Sequence, residues 1–129
     1  MNRESARYSP RVLELFARLP GAGPLPPGPG RQVAGEAIAL DRGAWVRFDA
    51  RIEAGRIADC VFRAWGCPHT LAAAAWVAAE VRMRAVMDCA SIDAPRLARE
   101  LDAPAEKMGR MLVVEDALGA LLEHARAVQ

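Results

Sequence analysis

Trp65-Gly66-Cys67-Pro68-His69-Thr70 is the stretch on which the fold turns. Before it, Ile57 to Ala64 alternates apolar and polar residues, the period-2 pattern of a half-buried strand. After it, Thr70 to Met83 is apolar almost all round until Glu80 and Arg82, the composition of a helix buried on more than one side. Pro68 suits the first helical position, where its missing N–H costs nothing. Cys67 is therefore expected at or just before the helix N-cap. Unpaired backbone N–H groups and the positive end of the helix dipole favour a thiolate there. A thiol at a strand-to-helix turn is placed for chemistry or for metal.

Upstream, two more strands precede this one. Trp45 to Ile52 alternates cleanly, with Val46, Phe48, Ala50 and Ile52 on one face and Arg47, Asp49 and Arg51 on the other. Ala54-Gly55 turns the chain into the third strand, whose apolar face is expected to carry Ala58, Cys60, Phe62 and Ala64. Val33 to Leu40 reads as the first strand, with Asp41-Arg42-Gly43 as a three-residue hairpin loop. Residues 21–32 are rich in Pro and Gly and read as an extended, partly mobile connector that pairs with nothing, in preference to a proline-rich ligand for another domain. Before them, Ser9 and Pro10 open a short helix carrying Val12, Leu13, Leu15, Phe16 and Leu19.

Downstream, Asp93 can cap a helix running to Leu101. Pro104 starts the longest one, with Met108, Met111, Leu112, Leu118, Leu121, Leu122 and Ala125 as its inner stripe. The reading is α+β: an N-terminal helix, a three-stranded antiparallel β-meander, and C-terminal helices packed on one face, as a single domain over 1–129.

Composition narrows the function. The chain has 129 residues, 53% hydrophobic and 26% charged, with a formal net charge of +1. That balance gives no electrostatic case for nucleic acid or an anionic membrane as the main partner. No apolar run reaches the roughly 20 residues needed to span a bilayer. Met1 to Ser5 lacks a hydrophobic secretory core, so the cytoplasm is expected. Three cysteines, an odd count, point to free thiols in a reducing compartment.

Five local patterns, in order, resemble the iron–sulfur cluster assembly scaffolds of the IscU type, also found as the N-terminal domain of NifU. They are Tyr8-Ser9 with its helix, Gly35-Glu36 at the first strand, Gly55-Arg56-Ile57-Ala58-Asp59 leading to Phe62, Gly66-Cys67 with its small-residue helix, and Glu115-Asp116-Ala117. The resemblance implies a protein that is not itself an enzyme. Such proteins build a [2Fe–2S] cluster on three cysteines and an acid, can hold zinc in the same pocket through the acid, two cysteines and a histidine, and work with a cysteine desulfurase and a chaperone. Carried over residue by residue, it retains Cys67 and puts Glu36 at the acid position. Ala34 and Arg110 then stand where cysteines would, and Gly109 where a histidine would. Cys67 and Glu36 are thus the candidate cofactor and metal ligands, expected near each other and near the Gly109–Arg110 turn.

Three functions fit this pattern. A degenerate scaffold acts in or regulates cluster assembly by binding a desulfurase, a chaperone or a second scaffold subunit. A thiol carrier passes a persulfide through Cys67, with Arg110 stabilising the thiolate. A plain interaction module does no metal chemistry. Arg110 either pairs with Glu36 in place of the metal or points into solvent; both outcomes stay open here. His69 is expected to face solvent or cap the helix, since positions i and i+2 point about 200° apart. Cys60 reads as core filler, Cys89 as a connector residue without a role, and His124 as a complement to the negative end of the last helix. Trp45 and Trp65 read as packing or as partner surface.

Overall fold

The computed structural model describes residues 8–128, so Met1 to Ser5 lie outside the described residues. Alternating patterns joined by short turns give antiparallel pairing, and one sheet forms in the order β1 (Arg31–Ala39), β2 (Ala44–Glu53), β3 (Arg56–Trp65). The helices are α1 (Pro10–Arg18), α2 (Pro68–Val81), α3 (Ala94–Leu101) and α4 (Met108–Val128). Short 3₁₀ turns occupy Leu40–Arg42, Val86–Ser91 and Ala105–Lys107. Val46, Phe48, Ala50 and Ile52 of β2, with Cys60 and Phe62 of β3, bury the inner face. Against that face α2 covers β3, and α4 covers β1 and β2. The fold class read from the sequence is the observed one.

The caps explain where helices start. Ser9 accepts the Val12 N–H at 3.2 Å and donates onward to the Leu101 carbonyl, tying α1 to the end of α3. Asp93 accepts the Arg96 N–H at 3.0 Å, and Glu115 of α4 accepts the Ala94 N–H at 2.7 Å. Two donors at the start of α3 are thereby satisfied.

Four details differ from the sequence reading. A bulge between Arg51 and Ile52 shifts the register, so Ile57 and not Ala58 joins Cys60 and Phe62 in the core. Leu112 stands 44% exposed, because the buried stripe of α4 runs Met111, Val114, Leu118, Leu121, Ala125 at helical spacing. Pro104 precedes a 3₁₀ turn, and α4 itself begins at Met108.

The fourth difference is the connector, which does pair. Phe62 donates to the Gly21 carbonyl at 3.0 Å and accepts the Gly23 N–H at 3.1 Å, so Ala22 bridges β3 in parallel. Gly21 and Gly23 adopt φ of 84° and 120°, which lets the chain touch the sheet for one residue before the prolines take over. The Arg51 guanidinium donates to the Pro29 carbonyl at 2.9 Å and holds the far end. Ala85 bridges Arg56 at the other end of β3, so contacts from two segments cover an otherwise open edge.

Helix and sheet approach closely at Gly35. A Cβ there would lie 2.1 Å from the Leu121 backbone nitrogen and 2.6 Å from its Cα. Only glycine lets α4 lie this close to β1.

Candidate functional site

Cys67 is the N-cap of α2, with extended backbone and Pro68 in the first turn. It is half-buried and free, and its Sγ lies 3.7 Å from the Thr70 hydroxyl. Burial pushes the thiol pKa up. The His69 ring, the Thr70 hydroxyl and the backbone N–H groups of His69 and Thr70 outweigh burial and bring it down to about 6. Neither the His69 ring nitrogens nor the backbone N–H groups close a full hydrogen bond to the sulfur, so their effect is that of dipoles beside it. The groups that lower it belong to the helix's own first turn, His69 and Thr70.

His69 is the largest surprise at the site. It is 1% exposed, neither facing solvent nor capping, and stacks at 5.0 Å from the Tyr8 ring in a tilted arrangement. Both its ring nitrogens are buried without a hydrogen-bond partner. The physical reason is that α2 has no solvent face in its first turns: His69 through Ala75 is buried apart from Leu71. A cavity of about 470 Å³ lies alongside, lined by Tyr8, His69, Pro104, Glu106 and Lys107.

Glu36 is not brought to Cys67. The pairing Glu36↔Arg47↔Arg63 places it in mid-strand, while Cys67 lies beyond the row Ile38↔Trp45↔Trp65. Two strand spacings across and four residues along put the two roughly 16 Å apart. The Glu36 carboxylate accepts the Trp45 indole N–H at 2.9 Å and makes no ion pair with Arg110. Ala34 is likewise in mid-strand, opposite Asp49, and its carbonyl bonds His124 Nδ1. His124 therefore ties α4 to β1 and does not serve the helix end.

What does approach Cys67 is the β1–β2 turn. Continuing the β2–β3 register past Trp45 and Trp65 brings Gly43 opposite Cys67, so Asp41 and Arg42 stand at that end of the sheet. Arg42 lies flat on Gly109: a Cβ at Gly109 would sit 2.2 Å from Arg42 Nη1. The β1–β2 turn, the β3 exit and the first turn of α4 thus share one end of the molecule. The sequence signal was the Asp41-Arg42-Gly43 loop, recognised as a hairpin but not counted as part of the site.

Elsewhere, Cys60 is core, its pKa pushed up to about 12 by burial, and burial also raises that of Cys89. Trp65 is 44% exposed. Asp49, 6% exposed, accepts two bonds from Arg47 at 3.1 Å and one from Arg63 at 3.5 Å. Among the described residues no three of His, Cys, Asp and Glu form a group able to hold a metal ion.

The family model of the NifU-like N terminal domain matches residues 7–127. The chain belongs to that family. Two curated relatives are the iron sulfur cluster assembly protein 1, mitochondrial, of Kluyveromyces lactis and of Schizosaccharomyces pombe. They are 28% and 27% identical, each match covering 95% of this chain and 70% and 64% of the relative. Two solved structures share the fold. A candidate iron–sulfur cluster assembly scaffold for the SUF system from Fervidobacterium islandicum has a TM-score of 0.68 at 12% identity, covering 91% of this chain and 97% of its own. The N-terminal NifU-like protein of Brucella abortus has a TM-score of 0.57 at 19% identity, covering 96% and 86%.

Family membership sharpens the question of the metal site. A [2Fe–2S] cluster is held by four thiolates or their equivalents. At the shared end of this NifU-like domain the possible donors are one thiol, one buried imidazole and one exposed carboxylate, Cys67, His69 and Asp41, with the guanidiniums of Arg42 and Arg110 on neighbouring turns. That donor set does not fit a cluster within one chain.

Proposed function

We propose that this chain acts in iron–sulfur cluster assembly, or in its regulation, by binding partners and not by carrying a cluster alone. The partners are a cysteine desulfurase, a chaperone or a second scaffold subunit. The observation that carries the reading is a family fold that keeps one thiol, Cys67, at the start of α2, with Arg42 packed on Gly109 and Arg110 standing where the resemblance puts a cysteine. No turnover reaction is assigned to it. Its three free thiols suit a reducing compartment, the cytoplasm among them, and no helix of the described residues is long and apolar enough to cross a membrane. Iron, zinc and sulfide assays on protein purified without oxygen test this. The reading expects far less than one metal ion per monomer, and a stoichiometric monomeric cluster would sink it.

A second reading is favoured by one observation, the half-buried thiol whose pKa is lowered to about 6 at the start of α2. Here Cys67 is a persulfide acceptor. Its thiolate attacks the terminal sulfur of a donor persulfide, a new S–S bond forms at Cys67, and the donor's S–S bond breaks. The donor leaves as a thiolate, and the proton stays on the transferred sulfur. Mass spectrometry after mixing with a persulfidated donor should show a 32 Da addition at Cys67, roughly the mass of one sulfur. An addition at Cys60 or Cys89, or none, would exclude the carrier role.

A further inference from the structure

The cations around the first turn of α4 differ from the four that flank Asp49 and Asp59. Arg47, Arg51, Arg63 and Arg82 all pair with Asp49 or Asp59. Arg42, Lys107 and Arg110 pair with no carboxylate among the described residues. Arg42 is exposed and held flat against the Gly109 backbone, a close approach that only a glycine permits. Arg110, next in the chain, is half-buried, and its Nε is buried without a hydrogen-bond partner. An exposed guanidinium with no carboxylate partner, as at Arg42, favours an incoming carboxylate, which can take two N–H bonds at once.

The surroundings say what kind of carboxylate. Leu40, two residues before Arg42, is 78% exposed. Leu112, one helical turn after Gly109, is exposed as well. A free oxyanion has no use for such neighbours, whereas a polypeptide with acidic and apolar side chains would cover both.

We propose that Arg42 and Arg110 dock an acidic, leucine-bearing segment of a partner protein at the end of the sheet that carries Cys67. This deepens the partner-binding reading by giving the partner's chemistry, but its test needs neither a metal nor a desulfurase. The two can therefore fail separately.

The probe is a fluorescein-labelled peptide alternating Glu and Leu, compared with its Gln counterpart, with binding to the full chain followed by anisotropy. The Glu peptide should bind, and Arg42→Glu with Arg110→Glu should weaken it by about tenfold or more. Arg126→Glu, exposed at the far end of α4, should change it by less than about twofold. Because Arg42 is exposed, Arg42→Gln alone keeps the test valid should the double variant misfold; it should weaken binding while leaving the thermal midpoint unchanged. No binding, equal binding of the Gln peptide, or indifference to Arg42→Gln would overturn the proposal. So would displacement of the peptide by inorganic phosphate at equal concentration, which would mark a site for a free oxyanion.

Discussion

At the scale of single residues, the account rests on Cys67 being ionised when the other two thiols are not. With its pKa lowered to about 6, it is mostly protonated and slow below that pH and mostly thiolate by about pH 7. Iodoacetamide should therefore label Cys67 with a midpoint near pH 6, while Cys60, its pKa pushed up to about 12, stays unlabelled in the folded protein. Equal labelling of the three at pH 7 would contradict the picture. Asp49 offers a stability test. Its buried carboxylate separates Arg47 from Arg63, which face each other across the strands. Asp49→Ala should cost about 1–3 kcal/mol in urea unfolding. Of these residues, Cys67 at a helix start was legible, because Pro68 and the strand before it fix the turn. His69 was not: an i, i+2 argument separates two faces of a helix, but here both faces are inside.

Elements were read better than the contacts between them. Period-2 alternation in β2, the Ser9 and Asp93 caps and the all-round apolar character of α2 each dictate local structure, and each is seen. Gly35-Glu36 shows the limit. By letters it matches a ligand loop; by register it is mid-strand, and its glycine exists because α4 backbone lies against it. Hairpin register is set by pairing along the whole strand, which a local match does not contain. Two predictions follow at this scale. Gly35→Ala must push α4 off β1 and should destabilise by about 1–3 kcal/mol, read as a lowered urea midpoint. Ser9→Ala removes the α1 cap and the link to Leu101, for a loss of about 1 kcal/mol in the same assay.

For the whole molecule, three segments distant in sequence meet at one end: the β1–β2 turn, Cys67 and the start of α4. That end of the fold carries one thiol, with Arg42 packed on the first turn of α4, a donor set suited to anions and partner surfaces rather than to a cluster. The central claim is that one chain alone holds no cluster. Its most direct test is iron, zinc and acid-labile sulfide in the monomer peak of a sizing column run without oxygen. The account predicts well under one metal ion and one sulfide per chain. About one zinc, or one [2Fe–2S] cluster, eluting with the monomer and lost in Cys67→Ser would contradict it.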